Sequence, residues 1–331
     1  MTPLFGHDSA VAAFRDALDG GKLPHAWLIA GAPGIGKSLF AEKAALRVLA
    51  QGAGSSVDAA GLDVPDTHPI AALIEAGSHP DLMRLERLPA DNAAGIARSI
   101  TVDQVRGLHR LFDTTPSLSP WRVVIIDSAD ELEGRGAPNA LLKMLEEPPA
   151  HSLFLLVSHY PDRLLPTIRS RCRLLRLKPL ADDVMASALR ALAPDAGEAE
   201  IAAMVRSGEG APGRALAQRG LELDRLDAAL DELVREGDPT NARRSALAQA
   251  LSLKAAQPRY AAFLARAPAR IAAEARGRRG APLAEAIALW ERSVALAGAA
   301  PRLSLDVTST VFELAGMLAA LAPARTDARA A

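Results

Sequence analysis

An eight-residue run, Gly31-Ala32-Pro33-Gly34-Ile35-Gly36-Lys37-Ser38, fills every fixed position of G-x-x-x-x-G-K-[ST]. Its flanks are those the motif needs: Ala26 to Ala30 reads as a short buried strand, and Leu39 onward reads as a helix. A strand, a glycine-rich turn and a helix N-terminus wrap consecutive backbone N–H groups around an anion, which makes Gly31 and the residues Gly34, Ile35, Gly36, Lys37 and Ser38 a phosphate cradle. In such a cradle the lysine reaches the β and γ phosphates and the hydroxyl of Ser38 takes Mg²⁺. The run therefore calls for an α/β fold with a mainly parallel sheet and its ligand at the C-terminal ends of the strands.

The acidic strand end that serves such a loop is Val123-Val124-Ile125-Ile126-Asp127. Asp127 has two readings, as a carboxylate that holds the Mg²⁺ through water or as a cap on the next helix. The next residue is Ser128, where a glutamate would orient an attacking water. The site is thus read as able to hold ATP or ADP with Mg²⁺ and poorly equipped to hydrolyse it.

Further strand signals lie at Leu82 to Leu85, Phe154 to Val157 and Leu174 to Leu177, separated by segments long enough for crossover helices. The stretch from Ala53 to His79 interrupts this alternation as an insertion. After Pro179 the strand signals stop. We expect an α/β nucleotide-binding domain over residues 1–178, a small helical domain over 179–222 and an all-helical domain over 223–331. Aromatic residues are only 4% of the chain, which leaves alanine and leucine to fill close-packed helices. A formal net charge of −1 supplies no overall attraction for nucleic acid, so any contact must come from a local group such as Arg84, Arg87, Arg98, Arg106 and Arg110, or from partners. The single cysteine, Cys172, excludes a disulfide framework. With no long apolar span and no signal-peptide pattern at Met1 to Asp8, the expectation is a cytoplasmic protein without membrane association.

Two further motifs carry a specific resemblance. Asn139-Ala140-Leu141-Leu142-Lys143-Met144-Leu145-Glu146-Glu147-Pro148-Pro149 follows the acidic strand, and Leu164-Leu165-Pro166-Thr167-Ile168-Arg169-Ser170-Arg171-Cys172 follows the next. With Gly77-Ser78-His79-Pro80-Asp81 and Ile100-Thr101-Val102-Asp103-Gln104, they make residues 3 to 178 resemble the AAA+ clamp-loader family of bacterial DNA polymerase III. The resemblance implies a AAA+ sheet with helices on both faces, a helical lid, and a C-terminal collar that joins subunits in a ring. It implies the motor (tau/gamma) and delta subunits as partners, with the sliding clamp and primed DNA reached through the assembled ring. It also gives Arg171 a role as an arginine finger acting on the neighbouring subunit's nucleotide. The alternative for Arg171 is a local ion pair.

The departures point to the non-motor branch of that family. The slot of the motors' water-orienting glutamate is Ser128, the γ-phosphate sensor aligns with His159, and the lid arginine aligns with Gly213. His159 is read either as one remaining hydrogen-bond donor to nucleotide or as a structural histidine. Many relatives carry four zinc-ligating cysteines in the insertion. Here it has none, and His68 and His79 do not complete a tetrahedral site, so no zinc is expected. The expected function is that of a passive, ring-completing subunit; the alternative is an active motor subunit.

Overall fold

Among the described residues, five strands form one parallel sheet, its three central strands short buried apolar runs, with helical segments connecting successive strands. They are β1 (Ala26–Ala30), β2 (Leu82–Glu86), β3 (Arg122–Asp127), β4 (Ser152–Ser158) and β5 (Arg173–Arg176), in the spatial order β2-β3-β4-β1-β5. The computed structural model describes residues 2–54, 57, 59–88 and 99–323. The strand signals read from sequence each lie within a residue or two of an observed strand.

The period of two along the strands divides the core between the faces. Trp27, Ile29, Val123, Ile125, Leu155 and Val157 pack with Phe14 of the helix Asp8–Asp19 and with Phe40, Ala44 and Leu49 of the helix Lys37–Gly52. On the other face Leu28, Val124, Ile126, Phe154 and Leu156 pack with Val105, Leu108, Leu141 and Leu145. This is a parallel α/β sheet with helices on both faces. Register aligns its functional edge: Ala30 lies opposite Ser158, and Asp127 opposite Val157 and Glu86. The end of β1 that feeds the phosphate loop, the acidic end of β3 and the end of β4 therefore share one rim.

The chain divides into two compact units, Met1–Ala217 and Gln218–Ala331. Within the first, the helices Asp182–Leu192, Glu198–Gly208 and Pro212–Gln218 enclose a small core of Met185, Leu189, Ile201, Met204 and Ala215. The second unit holds five α-helices among its described residues, from Leu223–Glu236 to Val307–Ala319. Leu226, Leu230 and Leu233 on the former and Val311, Leu314 and Leu318 on the latter recur at helical spacing and are all buried in its core.

Candidate functional site

The phosphate loop leaves β1 and turns into the helix Lys37–Gly52 through two glycines with positive φ, Gly34 at 77° and Gly36 at 104°. Side chains rarely adopt that conformation, and at Gly34 space forbids one as well. A Cβ there would lie 2.4 Å from the backbone nitrogen of Arg214. The close approach is mutual, since the Gly213 N–H donates to the Gly34 carbonyl at 2.8 Å. Gly213 thus rests backbone to backbone on the loop. Arg214 beside it pairs with Glu209 at 2.5 Å.

Lys37 is almost wholly buried, and its ammonium donates to the carbonyls of Gly31 and Ala32, each at 2.8 Å. Burial lowers its pKa to about 8, against the opposing pull of Asp130 and Asp127. A cavity of about 300 Å³ opens beside Gly34, Ile35, Gly36, Lys37 and Ser38. Leu4, Phe5, Leu180, Leu192, Pro212 and Leu216 give it apolar walls, and His159 joins them. The N-terminal segment is fixed to the loop by His7, whose ring Nε2 lies 3.0 Å from the Ile35 carbonyl. His159 lines the cavity beside the loop. Its Nδ1 is buried without a hydrogen-bond partner, and its pKa is lowered by burial first and by the Lys37 charge second. These residues fit a nucleotide: a phosphate cradle, an apolar compartment of suitable size, and an unpartnered ring nitrogen on the wall.

The acidic rim differs from the expected arrangement. Asp127 is ion-paired with Arg84 of β2, whose NH2 lies 2.8 Å from Asp127 Oδ2. The same guanidinium pairs with Glu42 of the helix Lys37–Gly52 and with Glu86, the latter at 3.2 Å. Ser128 donates from its hydroxyl to Asp130 at 3.0 Å. Asp130 also accepts from the Ser158 hydroxyl at 2.8 Å and from the backbone N–H groups of His159 and Tyr160. Glu131 pairs with Arg87 at 2.9 Å. Both carboxylates that follow Ser128 are therefore committed to structure.

Arg171 follows the short helix Pro166–Arg169 and is displayed by its neighbours. The Ser170 hydroxyl bonds back to the Thr167 carbonyl at 3.0 Å, and Cys172 packs into the core, where burial pushes its thiol up to about 12. Arg171 itself pairs with Glu146 at 2.7 Å and donates to the Thr167 carbonyl at 3.0 Å. In the insertion, His68 Nδ1 accepts from Ile70 N–H and His79 Nδ1 accepts from Asp81 N–H, so each histidine shapes a turn. Of the basic group, Arg84, Arg87 and Arg106 all have acidic partners, and Arg98 lies outside the described residues.

Sequence reasoning missed Asp130 as the tie between the β3 and β4 ends, and Arg84 as the partner of Asp127. The signal for Arg84 was available: it is a charge inside the apolar run Leu82-Met83-Arg84-Leu85, and two residues before Glu86 on the same face of a strand.

Comparison with known proteins identifies the family. A family model described as DNA polymerase III, delta subunit, matches residues 6–181. The delta' subunit of DNA polymerase III from Pseudomonas aeruginosa is 40% identical over 151 residues, 45% of this chain and 41% of that protein. The Escherichia coli delta' subunit is 39% identical over 145 residues, 44% of this chain and 41% of that protein. The gamma/tau subunit of Mycobacterium tuberculosis is 31% identical over 215 residues, 62% of this chain and 34% of its own length. The chain thus spans about two fifths of the length of the delta' relatives it matches. A solved gamma subunit-related protein of Thermotoga maritima aligns with 94% of this chain and 99% of its own at 14% identity and a TM-score of 0.43. The family match covers more than half of the chain, including the loop, Asp127 and Arg171: the chain belongs to the DNA polymerase III delta subunit family, within the clamp loaders.

Proposed function

We propose that this chain is a delta'-like, non-motor subunit of a DNA polymerase III clamp loader, cytoplasmic, which holds ATP or ADP passively and supplies Arg171 to a neighbouring ATPase. One observation carries the reading: the phosphate cradle is whole, while Ser128 and both carboxylates after it are engaged in structural bonds rather than free to orient water. Any Mg²⁺ arrives on the nucleotide, where the Ser38 hydroxyl would meet it; no zinc is assigned. The partners in this reading are the motor (tau/gamma) and delta subunits, and through the ring the sliding clamp and primed DNA.

The second unit supports partnership with a surface of its own. Ile287, Trp290 and Val294 recur at helical spacing on the helix Ala281–Leu303 and are 42%, 40% and 45% exposed. An apolar stripe of this kind is costly to leave in water and suits a collar interface. Mixed with motor and delta subunits, the full chain should co-elute as a stoichiometric complex, and Trp290→Asp should weaken that association about tenfold or more. If the chain instead forms an ATP-hydrolysing oligomer alone, the motor reading takes its place.

Nucleotide binding should also depend on pH through Lys37. Phosphate favours the charged ammonium, so its pKa in the bound state lies above the value of about 8 that burial gives it in the free chain. Affinity is therefore full below about pH 7, falls as pH rises through the free-state pKa, and is accompanied by proton uptake. Binding titrations across this range should show the decline. A flat profile would mean that Lys37 does not contact phosphate.

A further inference from the structure

In the loop's geometry, Mg²⁺ would be held between the Ser38 hydroxyl and the Asp127 carboxylate. That donor set does not fit a metal here, because the chain supplies its own cation at Asp127. Register explains how. Arg84 lies opposite Ile125, on the sheet face that packs against the helix Lys37–Gly52, and Glu86 lies opposite Asp127. On that helix Glu42 follows Ser38 by four residues, so the two share a face one turn apart. The Arg84 guanidinium is thereby held between the phosphate-loop helix and the acidic rim, on Glu42, Glu86 and Asp127. Asp127 is mostly buried, with its side chain 16% exposed, while Arg84 is 35% exposed.

We infer that Arg84 is a resident counter-ion that takes the place of the metal at Asp127, so that this chain retains nucleotide with little dependence on Mg²⁺. A guanidinium keeps its charge at any accessible pH and offers forked donors, which lets one side chain serve three carboxylates. A hydrated Mg²⁺ approaching Asp127 would have to displace that bond and sit beside a fixed positive charge. Such an arrangement suits a subunit that keeps its nucleotide: orienting phosphates for attack needs the metal bridged to protein, whereas retention needs only the cradle.

The inference rests on the proposed nucleotide site, and one experiment separates the two. Affinity of the full chain for ADP and for ATP is measured in Mg²⁺ and in EDTA, for wild type, Arg84→Gln and Arg84→Lys, with thermal melts to confirm folding. The wild-type affinities should agree within about threefold between the two conditions. Arg84→Gln frees Asp127 for the metal and should make affinity at least about tenfold greater in Mg²⁺ than in EDTA, the range of one charge-assisted bond. Arg84→Lys keeps the charge without the fork and should show a dependence on Mg²⁺ between those of the wild type and Arg84→Gln. If the wild type loses tenfold or more in EDTA, or Arg84→Gln gains no dependence on Mg²⁺, the role of Arg84 is overturned and the nucleotide site stands. If the wild type binds nucleotide in neither condition, the nucleotide site fails and the role of Arg84 with it.

Discussion

Replacing Arg171 with alanine will lower ATP turnover at the neighbouring site it faces by about 10³ to 10⁵ while this chain folds and assembles normally. A positioned guanidinium stabilises charge developing on the phosphoryl oxygens, and that stabilisation is lost with the side chain. In the isolated chain Arg171 pairs with Glu146 at 2.7 Å, with both side chains about a third or more exposed. A pair in that setting is worth about 0–1 kcal/mol, so exchanging Glu146 for a neighbour's phosphate costs little. In the ring proposed above, one motor site would face this subunit. Total turnover in the reconstituted complex therefore falls by that site's share, or further if the sites fire in a coupled order. Arg171→Lys should rescue little, since a point charge does not reproduce the fork. An alanine variant that assembles and loads clamps at the wild-type rate would leave Arg171 as nothing more than the partner of Glu146.

The sheet was legible because its strands are short, apolar and flanked by turn residues, and the phosphate loop because its backbone geometry demands glycines at fixed places. Motif spacing likewise put His159 beside the loop. Pairings that depend on register were not legible: Arg84 reaches Asp127 only because β2 lies next to β3 in parallel, which no local pattern states. The same holds for Gly213, whose contact with Gly34 joins residues far apart in the chain through two backbones and leaves no side-chain signature. Asp130 belongs to none of the sequence motifs. Its four bonds hold the turn after Asp127 to the end of β4. Arg171 was singled out by its Ser-Arg-Cys setting; in the structure Ser170 closes the turn before it and Cys172 packs against the core after it.

On the proposed function, this chain binds nucleotide without consuming it. A positioned acid or base typically contributes about 10² to 10⁴ in rate, and here the residue after Asp127 is a serine whose hydroxyl is bonded to Asp130. The direct measurement is nucleotide binding and phosphate release on the same purified full-length chain, with Lys37→Ala as the control for the phosphate cradle. The account predicts saturable binding that Lys37→Ala removes, together with phosphate release about 10² to 10⁴ below that of a motor subunit under the same conditions. Phosphate release at the motor rate, abolished by Lys37→Ala, would contradict it and make this chain a motor.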